Sequence, residues 1–149
     1  MSNLSLVGRC GLYCGTCGVY RGYRDGGELL EQLAEKWNIP KEKFRCEGCG
    51  SLTQKCWGFG CEIVKCLNYK GYQLCHECEA FDDKRCDRYE SIAERYLKRG
   101  EDIRKSLMRI KNGETLQWLD EQDRLWRCPS CGSPISIHAE KCYRCGVPR

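Results

Sequence analysis

Ten of the fifteen cysteines in this chain stand in five Cys-x-x-Cys pairs: Cys14/Cys17, Cys46/Cys49, Cys75/Cys78, Cys128/Cys131 and Cys142/Cys145. Two sulfurs at that spacing reach one ion, so the pattern is that of zinc or iron–sulfur knuckles. Cys10, Cys56, Cys61, Cys66 and Cys86 complete the candidate ligands. The odd total prevents complete disulfide pairing within one chain, and a reducing cytoplasm keeps thiols available for metal. Glycine directly follows Cys10, Cys14, Cys17, Cys49, Cys131 and Cys145. A knuckle turns sharply round its ion and often needs a positive φ after its second cysteine, where glycine costs least.

The most specific motif is Cys128-Pro-Ser-Cys131-Gly followed, ten residues on, by Cys142-Tyr-Arg-Cys145-Gly. Four thiolates in two knuckles match a closed tetrahedral zinc site. Between them Ile135 and Ile137 alternate with Ser136 and His138, the pattern of a short strand. The C-terminal end therefore resembles a zinc ribbon, with His138 facing solvent because four sulfurs already saturate the ion. Trp126 is expected to fill the junction with the preceding helix, and Arg124, Arg127 and Arg144 to solvate it.

Eleven cysteines lie outside the ribbon: Cys10, Cys14, Cys17, Cys46, Cys49, Cys56, Cys61, Cys66, Cys75, Cys78 and Cys86. Eleven is one short of three all-sulfur tetrahedral sites. A His76 ligand, a three-sulfur site, a bridging sulfur or free thiols would each resolve the count, and order along the chain does not say which sulfurs share an ion. Cys10-x3-Cys14-x2-Cys17 has the spacing by which radical SAM enzymes hold a cluster, but 149 residues are too few for their barrel and nucleotide pocket. Cys75-His-Glu-Cys78 is followed by Glu79, not His, which argues against covalent haem.

The elements that would carry these ligands divide into sections. After the hook Cys10–Cys17 a helix is expected over Glu28–Asn38, with Leu29, Leu30, Leu33 and Trp37 at helical spacing, Asp25 and Glu28 as a capping pair and Pro40 as its stop. Cys46–Cys86 shows little hydrophobic periodicity and reads as loops folded round metal. Beyond Asp87, Tyr89, Ile92, Ala93 and Tyr96 make one helical stripe, broken at Gly100. Ile103, Leu107 and Ile110 make a second, ending at Asn112-Gly113. A third helix over Glu114–Trp126 has Leu116, Leu119 and Trp126 on one face and Trp118 and Leu125 on a second edge. The expected fold is a small, irregular α+β, metal-stabilised one: a cysteine-rich knuckle domain (1–90), a helical connector (91–126) and a zinc ribbon (127–149).

Composition agrees with metal as the organiser. The hydrophobic fraction of 41% counts cysteine, and without it only about 31% remains, thin for a self-sufficient core. Lys+Arg 25 against Asp+Glu 21 gives a net charge of +4. Each four-thiolate zinc site contributes about −2, so three would take the total to roughly −2 and remove the electrostatic case for nucleic acid. The N-terminus lacks the apolar run of a secretory signal and no stretch approaches a membrane span, so a cytoplasmic protein is expected.

Cys10-Gly-Leu-Tyr-Cys14-Gly-x-Cys17, Leu33-Ala-Glu-Lys-Trp37, Cys46-x-Gly-Cys49, Cys61-Glu-Ile-x-x-Cys66, Lys70-Gly71 and Cys75-x-x-Cys78-x-x-Phe81 occur in order. Together they resemble the DUF3795 family, a prokaryotic cysteine-rich domain of unassigned function, over roughly residues 8–90. The chain departs from the family's usual Phe-Pro-Cys by placing Asp82-Asp83-Lys84-Arg85 between Phe81 and Cys86. The resemblance implies metal binding in a cytoplasmic setting, and supplies neither substrate nor catalytic residues.

No Ser/His/Asp set or phosphate-cradling loop is present, and His76 and His138 are the only imidazoles. Glu28, Asp82 and Asp83 read as surface or capping groups. The expected role is a multi-zinc structural or adaptor module with a protein partner. An iron–sulfur protein of electron transfer is the alternative. A nucleic-acid-binding zinc protein is the second, through Arg95, Lys98, Arg99, Arg104, Lys105, Arg109 and Lys111, a run interrupted by Glu101 and Asp102.

Overall fold

The computed structural model describes residues 3–149, and it is mostly helical. Its helices are α1 (Gly18–Asp25), α2 (Gly27–Trp37), α3 (Glu62–Lys70), α4 (Glu79–Asp82), α5 (Asp87–Leu97), α6 (Ile103–Lys111) and α7 (Thr115–Leu125). Among the described residues, β structure is limited to three isolated antiparallel bridges: Val7 with Tyr13, Arg127 with Pro134, and Lys141 with Pro148. The β half of the expected α+β fold is therefore reduced to pinned turns.

Several elements differ from the sequence reading for physical reasons. Helix α1 is absent from it because Val19 and Tyr20, which α1 buries, are too few to show a period. Asp25 does not cap α2; the helix begins at Gly27 after Gly26, both with positive φ, and Asp25 ends α1 instead. Its C-terminus is closed by Asn38 in the left-handed conformation. In the span expected to be loops, α3 buries Ile63, Val64 and Leu67 and stops at Gly71. One helical turn of apolar residues hidden among cysteines gives no visible repeat.

A smaller apolar cluster forms where α1 and α2 meet Phe44 and Cys46. The larger one takes Leu12 and Tyr13 from the hook, residues from α3 to α7, and Trp126, Ile135 and Ile137 from the chain's end. Helix α6 is its centre: Ile103 and Leu107 have no solvent exposure, and Asp102 caps the helix by accepting from the Lys105 N–H. The hook passes so close beneath α6 that a Cβ at Gly11 would stand 2.4 Å from the Ile103 carbonyl oxygen, at a φ of +97°. Only glycine fits there. In α7 the buried residues are Trp118, Leu119 and Gln122. Leu116 and Leu125, assigned to the packed faces from the sequence, are 60% and 62% exposed.

The C-terminal segment lies on the hook. Thr16 is fully buried; its Oγ1 donates to the Ile135 carbonyl at 2.9 Å and accepts from the Ile137 N–H at 2.9 Å. Ile135, Ser136 and Ile137 are all buried, so the expected alternation of faces is lost. His138 does not face solvent. Its Nδ1 accepts from the Gly18 N–H at 2.9 Å, its Nε2 meets the Tyr96 hydroxyl at 3.3 Å, and Trp37 packs edge-on against its ring. Trp126 sits at the junction, its indole N–H shared by Glu101 and Gln122.

Candidate metal centres

The chain between Arg127 and Arg149 makes the same turn twice. The Cys128 N–H donates to the Ser133 carbonyl and the Gly132 N–H to Cys128; the Cys142 N–H donates to Val147 and the Gly146 N–H to Cys142. Gly132 and Gly146 both take positive φ, 73° and 78°, as knuckle geometry requires. Each turn thereby presents two sulfurs to the other.

Sγ of Cys128 stands 3.6 Å from that of Cys145, and Sγ of Cys131 3.7 Å from that of Cys142. All four lie within 4.8 Å of one another. Sulfurs about 2.3 Å from a tetrahedral ion are about 3.8 Å apart, so this donor set fits one soft metal ion. Electrostatics agree. Hydrogen bonds from Ser133 lower the Cys131 thiol to about 6, and backbone N–H groups of Cys131 and Ser130 lower Cys128. Cys145 has a Val147 N–H favouring its thiolate, yet burial and the neighbouring sulfurs push it up to about 11. Four touching thiols do not ionise together without a cation between them.

The other eleven cysteines are free of disulfides and gather in two neighbourhoods, with Cys10 and Cys61 close enough to interact with thiols of both. In the first, the Cys49 N–H donates to Cys14 Sγ at 3.4 Å. The N–H favours a Cys14 thiolate, but the thiol–thiol hydrogen bond with Cys49, with burial, holds Cys14 well above its ordinary value and lowers Cys49 to about 7. Burial raises Cys17 to about 11 and Cys46 to about 12, with the other thiols of this group adding to both. Burial likewise pushes Cys10 up. Cys56 is buried with Thr53 Oγ1 at 3.5 Å, and Cys61 is exposed just before α3.

In the second neighbourhood Cys66, Cys75, Cys78 and Cys86 line one cavity. The four-residue insertion before Cys86 forms a tight turn, with Lys84 in the left-handed region and the Arg85 N–H returned to the Ala80 carbonyl. Cys86 thus reaches the cavity as the cap of α5, accepting from the Tyr89 N–H at 3.4 Å. His76 lies in the turn Cys75–Glu77 and is not among the cavity residues.

Residues to which the sequence reading gave no part in the thiol groups hold these groups in place. Arg9 donates to the Tyr72 and Gln73 carbonyls and to Asn68, tying the end of α3 to the hook. Tyr89 donates its hydroxyl to the Cys10 carbonyl at 3.0 Å. Neither carries a motif; each acts through tertiary contacts that spacing does not encode.

Four of the seven basic residues from Arg95 to Lys111 are tied to other parts of the molecule. Arg99 donates to the Ile137 carbonyl, Arg104 lies over Phe81 and Tyr89 and pairs with Glu90, Arg109 pairs with Glu121 and Glu114, and Lys111 with Asp82.

Helices gathered round clustered thiols, with a C-terminal four-sulfur group able to hold a metal ion, define a cysteine-rich protein with metal-binding capacity. The sequence pattern described as "Protein of unknown function (DUF3795)" matches residues 6–91, and the chain belongs to that family. No curated protein and no solved structure matches it. No helix among the described residues is long and apolar enough to cross a membrane.

Proposed function

We propose that this chain is a cytoplasmic multi-zinc adaptor in which closed thiolate sites replace part of the apolar core, and that its C-terminal knuckles form a zinc ribbon. The observation that carries the reading is the group Cys128, Cys131, Cys142 and Cys145, four sulfurs within 4.8 Å. Four soft donors round one ion leave no open position, so the site is a staple rather than a place for chemistry. A protein partner is the reading of the exposed aromatic pair Trp57 and Phe59, 42% and 37% exposed, on the turn between Cys56 and Cys61. Nucleic acid is disfavoured, because Arg99, Arg104, Arg109 and Lys111 of the basic run from Arg95 to Lys111 are already tied to other parts of the fold.

Elemental analysis and a visible spectrum of anaerobically purified protein test the reading. Colourless protein containing zinc supports it; iron with broad visible absorption replaces it with the iron–sulfur alternative. For the adaptor role, a Trp57→Ser/Phe59→Ser variant is expected to lose a copurifying protein while keeping its metal content.

A further inference from the structure

Helix α3, the turn Cys75–Glu77 and the starts of α4 and α5 enclose a cavity of about 30 Å³. Each element brings one thiol to its wall: Cys66 from α3, Cys75 from the turn, Cys78 before α4 and Cys86 before α5. The remaining wall is largely apolar, with Leu67 and Phe81 both buried. Two donors from residues of the same wall reach the sulfurs: Lys70 Nζ at 3.4 Å from Cys78 Sγ, and the Tyr89 N–H at 3.4 Å from Cys86 Sγ. Donors of this kind stabilise metal-bound thiolates. Glu77 fixes the turn by accepting from the Gln73 and Leu74 N–H groups.

We propose that Cys66, Cys75, Cys78 and Cys86 form a second mononuclear thiolate metal centre, with Lys70 as its outer cationic partner. The inference rests on the preceding reading in one respect: the thiols are reduced metal ligands. Four thiols on one cavity wall match the donor count of a closed, tetrahedral single-ion site. Each thiol that ligates releases its proton to solvent, so four sulfurs round a divalent zinc-like cation carry −2 in total, which the Lys70 ammonium partly offsets. Among the described residues only the C-terminal four form a group within 4.8 Å, so ligation here draws the sulfurs inward.

The test uses the full chain with its native metal. Native and chelator-treated samples are alkylated and read by peptide mass spectrometry, and metal is counted in wild type and in Cys66→Ser/Cys86→Ser. Cys66, Cys78 and Cys86 are only partly buried, so without an ion they are open to reagent. Expected are joint protection of Cys66, Cys75, Cys78 and Cys86 in native protein, joint labelling after chelation, and one zinc equivalent fewer in the variant. Independent labelling of the four in native protein overturns the proposal, even if the variant fails to fold. Four iron atoms lost instead of one zinc overturn its mononuclear character. Labelling of Cys128, Cys131, Cys142 and Cys145 in native protein would instead defeat the metal-ligand reading as a whole.

Discussion

At the C-terminal knuckles the sulfurs already stand at ion-binding separation, 3.6 and 3.7 Å in their two contacts, whereas the cavity thiols Cys66, Cys75, Cys78 and Cys86 only share a wall. The reason is where each geometry is written. Each C-terminal knuckle is a local turn, closed by its own backbone hydrogen bonds and a glycine, and repeated with the same pattern. The cavity is assembled from three helices and a turn, held by Arg9 reaching across from the hook. A local site is organised before its ion arrives. A tertiary site exists only while the fold does, so there ligation and folding are one equilibrium.

The largest expected effect follows from that coupling. Structural zinc contributes on the order of 10–16 kcal/mol in small domains, as much as the whole stability of a typical protein. Stripping all metal with a strong chelator under reducing conditions should abolish the cooperative thermal transition, followed by circular dichroism. An undiminished transition would remove metal from the account of this fold.

Next comes the seam between the two regions. Thr16→Val keeps the shape of the side chain but leaves the buried Ile135 carbonyl without its donor and the Ile137 N–H with only the Thr16 carbonyl. A loss of about 2–3 kcal/mol is expected, read from the denaturant midpoint, with Thr16→Ser largely sparing it. If Thr16→Val were neutral, the C-terminal knuckles would stand independently of the hook.

The same local–tertiary division explains what was legible in the sequence. The knuckle Cys128–Cys145 was readable because spacing and the following glycines are local facts. The α6 stripe of Ile103, Leu107 and Ile110 was readable because the helix lies at the centre of the core and its buried face repeats regularly. Helices α1 and α3 were not, since each buries only a short apolar group beside cysteines. The grouping of the eleven other thiols was hidden for a different reason. Cys66 and Cys86 lie twenty residues apart and come to share a cavity wall only through the tertiary fold. Saturation of the ion by four sulfurs, the ground for assigning His138 to solvent, frees it from ligation without exposing it, because the hook and α5 close over it.

His138 supplies a pH-dependent test of that closure. Burial, with Arg99, Lys36, Arg149 and Arg95 nearby, lowers its pKa from 6.5 to about 4. A proton on Nδ1 would also oppose the Gly18 N–H that now donates to it. Between those values the unfolded chain binds more protons than the folded one, so the full contribution is present above about pH 6.5 and falls as the pH drops towards 4. Allowing for its partial exposure, about 1–2 kcal/mol should be lost across that window. His138→Gln should show a shallower slope than wild type, measured as the difference between their denaturant midpoints. Parallel profiles would mean that the proton reaches His138 without disturbing the seam.

The smallest effect concerns which side of α7 the C-terminal region occupies. Trp118, Leu119 and Gln122 face the core, and Trp126 carries that face into the first knuckle. Leu125 immediately precedes Trp126, yet at 62% exposure it lies outside the seam. Leu125→Gln should therefore change stability by less than about 0.5 kcal/mol and leave the chelator response unaltered. A cost of about 2 kcal/mol or more, typical of truncating a packed leucine, would put the knuckles against the opposite face of α7 and separate them from the Thr16 seam.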